Sequence, residues 1–304
     1  MVAATHAADI GLGIQIGVSS IIVIAADGEG SIEHTRVVEG DFAQMPAPEA
    51  LAIAGDLARQ AIADCSVKHH INGVGLAVPG LVNRADGYLE VAANLHWATM
   101  FPAADLGFSD STVTVENSAK LGALAEAHIS GEPSFIYLTL GDGIGGAIVD
   151  DGRLFRGERG WDGEIGHMTV DPRGPLCECG ATGCLEQYAS KPALFRAAGL
   201  SPDALVSDFL ALLDKNDDDA LTALDAAIMA IAQVLANVIT LIDIRHLVID
   251  GELSPLMPFI TGGITQLVDE RVIAGHKVPL TSRVAMAGEF GPALGGALLA
   301  QSGY

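Results

Sequence analysis

Basic residues are scarce in this 304-residue chain: 16 Lys and Arg stand against 38 Asp and Glu, a formal charge of −22. Affinity for nucleic acid comes largely from Lys and Arg on the phosphate backbone, so direct DNA binding by this chain is excluded as an expectation. An anionic membrane surface is disfavoured for the same reason. Cysteine is rare too, with four in all. The N-terminus, MVAATHAADIG, lacks the basic n-region and long apolar h-region of a secretory leader. A cytoplasmic location is therefore expected, where clustered cysteines bind metal more often than they pair. Long apolar runs are nearly absent. The one candidate for a membrane span, AAIMAIAQVLANVITLIDI (226–244), is interrupted by Gln233, Asn237 and Asp243 and has no Lys/Arg-rich flank, so a buried helix is expected. No Pro- or Ser-rich linker divides the chain.

What is abundant is small and apolar. Half the residues are hydrophobic, only 5% are aromatic, and 36 are glycine, a profile of a close-packed α/β protein. The length allows two domains. IIVIAADGEGSIEHTRVVEG (21–40) predicts a hairpin around an Asp-Gly-Glu-Gly turn, and PEALAIAGDLARQAIADC (48–65) predicts a helix. VGLAVPG (74–80) predicts a strand ending in Pro79-Gly80, and VTVE (113–116) another, with SAKLGALAEAH as the helix after it. SFIYLTLGDGIGGAIVDDG (134–152) repeats the opening plan of two apolar strands around a glycine turn. Beyond it the chain is mostly helical, with LVIDGELS (247–254) and RVAMAG (283–288) expected as strands. The expected division is a smaller N-terminal α/β domain over 1–117 and a larger one over 118–290, with the last helix, within 291–304, returning to the first.

The most specific stretch is GEIGHMTVDPRGPLCECGATGCLEQYAS (163–190). Cys177, Cys179 and Cys184 form C-x-C-x₄-C, with His167 ten residues before the first. Three thiolates and an imidazole are a structural zinc set, and the glycines let a short loop close on a tetrahedral ion. A Cys177–Cys179 disulfide would be strained; unrelated buried thiols are the plainer alternative. Cys65 ends an apolar helix and is most simply a core residue.

This loop resembles the signature of the ROK family of repressors, open reading frames and sugar kinases, including its NagC/XylR-type regulators. VPG (78–80), AANLHW (92–97), VENSA (115–119), GDGIGGAIVDDG (141–152), GEIGH (163–167) and CxCGxxGCLE (177–186) follow in family order. The resemblance implies an α/β, actin/hexokinase-like (ribonuclease H-like) two-domain fold, a sugar held between the domains, structural zinc, and dimers or tetramers. It also implies sugar contacts from Gly80, Asn94, Asn117, Glu164, His167 and Glu186. An Asn offers donor and acceptor, a carboxylate accepts from vicinal hydroxyls, and an imidazole held by zinc on one nitrogen donates from the other. Taken singly each has a plainer role: Asn94 holding a turn, Glu164 and Glu186 capping helices.

The kinase pattern is broken at several places. Where the kinases resemble DxGGT, the sequence has GIQIGVSS (13–20), with Gln15 at the Asp position, Gly17 retained, Val18 for a Gly and Ser19 for the Thr. An amide is a poor ligand for the magnesium of Mg-ATP. A rival register through Asp9-Ile10-Gly11 misplaces the strand SSIIVIAADG. The second phosphate loop, Gly141-Asp142-Gly143-Ile144-Gly145-Gly146, carries Asp142 where the kinases have Thr. Two like charges at ~4 Å cost about 4 kcal/mol at an effective dielectric near 20. IDGELS adds Asp250 and Glu252 where a Gly-Gly strand end is usual. Finally, the family's N-D-A-N reads Asn117-Ser118-Ala119-Lys120. Ser118 stands at the general-base position without useful basicity, a loss of about 10²–10⁴ in rate. Lys120 is expected as a solvated i,i+4 partner of Glu116.

Three functions follow in order. The first is a sugar-binding, zinc-stabilised, pseudokinase-like module acting as the effector part of a transcriptional regulator. Only about ten residues precede the first strand, so a helix-turn-helix is not expected in this sequence. The second is an ATP-dependent hexose or N-acetylhexosamine kinase with an unusual site, in which Glu164 or a sugar-bound water takes the proton. The third is an idle subunit that stabilises an active homologue.

Overall fold

The computed structural model describes residues 9–65, 69–108 and 113–302. The stretch inspected for a leader falls mostly in 1–8 and the end of the returning segment in 303–304, both outside them. The chain divides into two compact units. One takes the chain up to Gly131, Arg153–Asp162 and everything from Met286; the other takes Glu132–Gly152 and Gly163–Ala285. The division thus comes after the helix Ser118–Ser130, not before it as expected from the sequence, because that helix packs on the C-terminal one.

In the first unit the chain forms β1 (Asp9–Ile16), β2 (Ser20–Asp27), β3 (Ile32–Glu39), α1 (Ala47–Cys65), β4 (His70–Val78), β5 (Leu81–Val82) and β6 (Leu89–Val91). These are followed by α2 (Pro102–Asp105), β7 (Val113–Asn117) and α3 (Ser118–Ser130). The sheet order is β3-β2-β1-β4-β7, antiparallel through the hairpin and parallel from β1 to β4 and β7. The strand β1 alternates apolar side chains with small ones, and successive strand residues face opposite ways. Ile10, Leu12, Ile14 and Ile16 are buried in one core with Leu51, Ala54 and Ala58 of α1. Gly11, Gly13 and Gly75 face the other way, where the C-terminal helix lies against the bare backbone. A Cβ on Gly13 would sit 1.7 Å from the Ala293 carbonyl oxygen, so only glycine permits that approach.

The second unit contributes β8 (Phe135–Leu140) and β9 (Ile144–Asp150), an antiparallel hairpin about the glycine turn. The segment β10 (Arg153–Leu154) follows in sequence and belongs to the first unit. Then come α4 (Glu186–Ala189), α5 (Lys191–Ala197), α6 (Val206–Asp214), α7 (Asp218–Ile242), β11 (His246–Asp250), α8 (Met257–Arg271) and β12 (Thr281–Val284). β11 lies parallel between β8 and β12. β12 ends at Val284, two positions short of the Met286 expected inside a strand. The last helix, α9 (Gly291–Ser302), packs on β1, β4 and α3. Among the described residues, α7 is long and apolar enough to cross a membrane. Here its Leu224, Ile228, Ile231, Leu235 and Ile239 stripe is buried in the second unit's core with Phe195, Phe209 and Ile260. Burying each such aliphatic chain contributes about 1.5–3 kcal/mol.

Candidate functional site

The carboxyl ends of β4 and β7 lie side by side, Val78 opposite Asn117. Such ends are where open α/β sheets gather ligands. Asn117 ends β7 and caps α3: its Oδ1 accepts from the Ala119 amide at 2.8 Å and the Lys120 amide at 3.3 Å. Its Nδ2 donates to the Gly80 carbonyl at 2.9 Å, which leaves one amide hydrogen for another partner. Gly80 needs its positive φ of 113°, and a Cβ there would meet the Val91 carbonyl oxygen at 2.1 Å. That approach draws in the Ala92–Trp97 turn, closed by an antiparallel bridge, on which Asn94 is half-buried. The first unit thus assembles Gly80 and Asn117 directly, with Asn94 two residues past Ala92.

Ser118 opens α3, and its Oγ is buried with no hydrogen-bond partner among the described residues. Glu116, two positions before it, and Asp162, the partner of Lys120 on α3, are each engaged by a cation. Glu116 accepts from Arg156 and from the Asn117 amide. Asp162 faces the Lys120 ammonium at 3.1 Å. Lys120 is therefore not the solvated partner of Glu116 expected from the i,i+4 spacing. It is 1% exposed and also donates to the Gly160 carbonyl. The sequence showed no sign of this because both partners lie some forty residues ahead. Gln15 sits on β1 between Ile22 and Ala77, and its Oε1 is buried without a partner among the described residues. Beyond it, the Gly17 amide closes the turn on the Ser20 carbonyl at 2.8 Å, and Ser19 accepts from the Gly40 amide through its own carbonyl.

In the second unit His167, Cys177, Cys179 and Cys184 converge, each offering one ligand atom within 4.8 Å of the others. Cys179 and Cys184 sulfurs lie 3.6 Å apart, and Cys177 Sγ lies 3.8 Å from His167 Nδ1. A tetrahedral site with Zn–S bonds of about 2.3 Å has sulfurs roughly 3.8 Å apart, so the set fits a zinc ion. The loop is shaped for it by bonds from the Cys177 amide to the Ala181 carbonyl and from the Gly180 amide to the Cys177 carbonyl. Without a metal, burial and the neighbouring thiols push Cys184 up to about 12, and burial raises Cys177. His167 turns its Nδ1 to the thiols, while Nε2 lies 4.0 Å from the Glu164 carboxylate.

Glu186 opens α4 and is buried, accepting from the Ile144 amide at 2.9 Å. That bond ties it to the start of β9, where the turn Gly141-Asp142-Gly143 leads into Gly145 and Gly146. The turn is not the bare acidic loop expected from the sequence. Lys191 reaches Asp142 at 3.4 Å and Glu252 at 2.8 Å, and its own amide donates to the Gly141 carbonyl. Burial presses the Lys191 ammonium downward, but Glu252 and Asp142 outweigh it and hold it above its ordinary 10.5. Asp250 is buried and accepts from the Tyr137 hydroxyl. Lys191 escaped the sequence reading because it stands outside every motif, five residues past Glu186.

These two units, each a mixed sheet with an antiparallel hairpin and parallel partners under helices, are those of the actin/hexokinase-like fold. The family model for the ROK family matches residues 11–302, and the chain belongs to that family. It is 28% identical to the xylose repressor of Bacillus subtilis over 93% of this chain and 75% of that one. It is 30% identical to the kanosamine kinase of Amycolatopsis mediterranei over 95% of each. The match spans only 47% of the xylose repressor of Caldicellulosiruptor bescii. Among solved structures, a ROK glucokinase from Streptomyces griseus, in complex with glucose and AMPPNP, superposes with a TM-score of 0.78 at 26% identity, covering 95% of this chain and 98% of that one. Repressors and sugar kinases thus both stand among its relatives.

Proposed function

We propose that this chain binds a hexose or amino sugar without phosphorylating it and serves as the sugar-responsive part of a regulator. The observation that carries the reading is the end of β7. The residue where a base would take the sugar's proton is Ser118; Glu116, two positions before it, is committed to Arg156, and Asp162 is committed to Lys120, two positions after it. A carboxylate held in an ion pair is a poor proton acceptor. In this reading Asn94 and Asn117 bind hydroxyls from the first unit. Within the second unit, taken by itself, Glu164 and Glu186 are the acceptors for vicinal hydroxyls and His167 the donor through Nε2. Zinc on His167, Cys177, Cys179 and Cys184 fixes the imidazole and the loop around it; its chemistry here is structural.

A second reading, an amino-hexose kinase, is favoured by one specific observation: the end-to-end match to kanosamine kinase. In that case Glu164 or a sugar-bound water takes the proton in place of the lost base. A coupled assay with magnesium ATP and glucose, mannose, N-acetylglucosamine, N-acetylmannosamine and kanosamine separates the two. The first reading expects no turnover, with one sugar raising the melting temperature and Asn117→Ala abolishing that rise. Turnover lost in Glu164→Ala would establish the second.

A further inference from the structure

The carboxyl ends of β8 and β11 are adjacent and parallel, Thr139 opposite Asp250. They present two glycine-containing segments, Gly141-Asp142-Gly143 and Gly251-Glu252. Strand ends of this kind, with backbone amides exposed by glycine, are where a polyphosphate is ordinarily cradled. Here that ground is filled by the protein itself. Lys191 lies 3.4 Å from Asp142 and 2.8 Å from Glu252, and its side chain is only 16% exposed. Its backbone amide is bonded to the Gly141 carbonyl at 2.8 Å, so the ammonium is anchored to the turn it neutralises. Across the strand end Asp250 adds a third carboxylate, held by Tyr137.

We infer that the Asp142–Lys191–Glu252 ion clasp closes the glycine turn to nucleoside triphosphates. An approaching triphosphate meets two carboxylates and a lysine already satisfied by them. Exchange of carboxylate for phosphate requires breaking both contacts while bringing more negative charge beside them. Removing the two acids reverses the situation: the same lysine, its backbone still tethered at Gly141, becomes a free cation beside the turn. The side chains of Asp142 and Glu252 are 35% and 43% exposed, so their replacement spares the core. The inference deepens the reading of a non-phosphorylating chain and rests on it, by naming what keeps the nucleotide out.

The test is equilibrium dialysis of labelled magnesium ATP against the full chain, with sugar-induced melting shifts and the coupled assay run on the same samples. Wild type is expected to retain no ATP at millimolar concentration. Asp142→Thr/Glu252→Gln is expected to bind at least about tenfold tighter, and adding Lys191→Met to that pair is expected to remove the gain. The clasp is overturned if wild type binds as tightly as the double variant, if the folded double variant binds none, or if the gain survives loss of the lysine. Wild-type binding without turnover sinks the clasp alone, and turnover sinks both readings. A missing sugar shift with the expected ATP pattern sinks the sugar reading alone.

Discussion

Replacing Lys120 with Met isolates the least expected contact in the structure. The ammonium is 1% exposed, lies 3.1 Å from an Asp162 carboxylate whose side chain is 7% exposed, and donates to the Gly160 carbonyl. At that separation and an effective dielectric near 20, the attraction is about 5 kcal/mol. Met fills the volume but leaves Asp162 charged and buried, with Oδ1 still accepting from the Gly157 amide and Oδ2 unpaired. Orphaning a buried ion costs about 3–5 kcal/mol, and the abandoned Gly160 carbonyl adds about 1 kcal/mol. Lys120→Met should therefore lose about 4–6 kcal/mol, a large share of an ordinary domain's stability of roughly 5–15 kcal/mol. Asp162→Asn should lose a comparable amount. Lys120→Met/Asp162→Leu should lose far less than their sum, because an apolar pair replaces both charges. Urea unfolding followed by tryptophan emission reads this well, since Trp161 adjoins Asp162. A Lys120→Met midpoint within about 0.5 kcal/mol of wild type, or losses that simply add, would refute the account.

Three further outcomes are expected. Protein purified without chelator should carry about one zinc per chain by elemental analysis, and Cys184→Ser should lose it and melt earlier, since three ligands rarely hold a structural site. Gly13→Ala should cost about 3 kcal/mol in a chemical melt, at the upper end of overpacking losses, because its methyl would overlap the Ala293 carbonyl of α9. Finally, hydrogen bonds from Arg283, outweighing partial burial, hold the Glu132 carboxyl below its ordinary 4.5. A folded-state value below the unfolded one means that the pair's stabilisation is present above about 4.5 and is lost as pH falls through the depressed value. Melting curves of Glu132→Gln should show less acid destabilisation than wild type below 4.5, and parallel acid limbs would contradict this.

Much of the fold was legible because its signals are local. The turn at Asp27-Gly28-Glu29-Gly30 between two β-branched runs specifies a hairpin; the structure then shows Ile10-Gly11-Leu12-Gly13-Ile14 as a strand with one bare face. The metal set was legible for the same reason: three thiols within eight residues leave little freedom in where they meet. What covers the bare face was less so. The last helix is expected from the sequence to return to the first domain; that α9 lies against the glycine face itself, and that α3 packs on it and so joins the first unit, depends on complementary surfaces that no local window contains.

The sequence by itself determined the residue types at the strand ends: Ser118 without basicity, Gln15 with an amide, Asp142 and Glu252 with negative charge, and a Cys₃His set spaced for one ion. These are properties of side-chain chemistry and short spacing, and folding cannot alter them. Only the tertiary structure decided what those charges do. Lys120 looked from the sequence like a solvated lysine and Lys191 carried no signal there, but one is buried against Asp162 and the other bridges Asp142 and Glu252. A charge acts through distance and desolvation, and both are set by which distant segments fold against it.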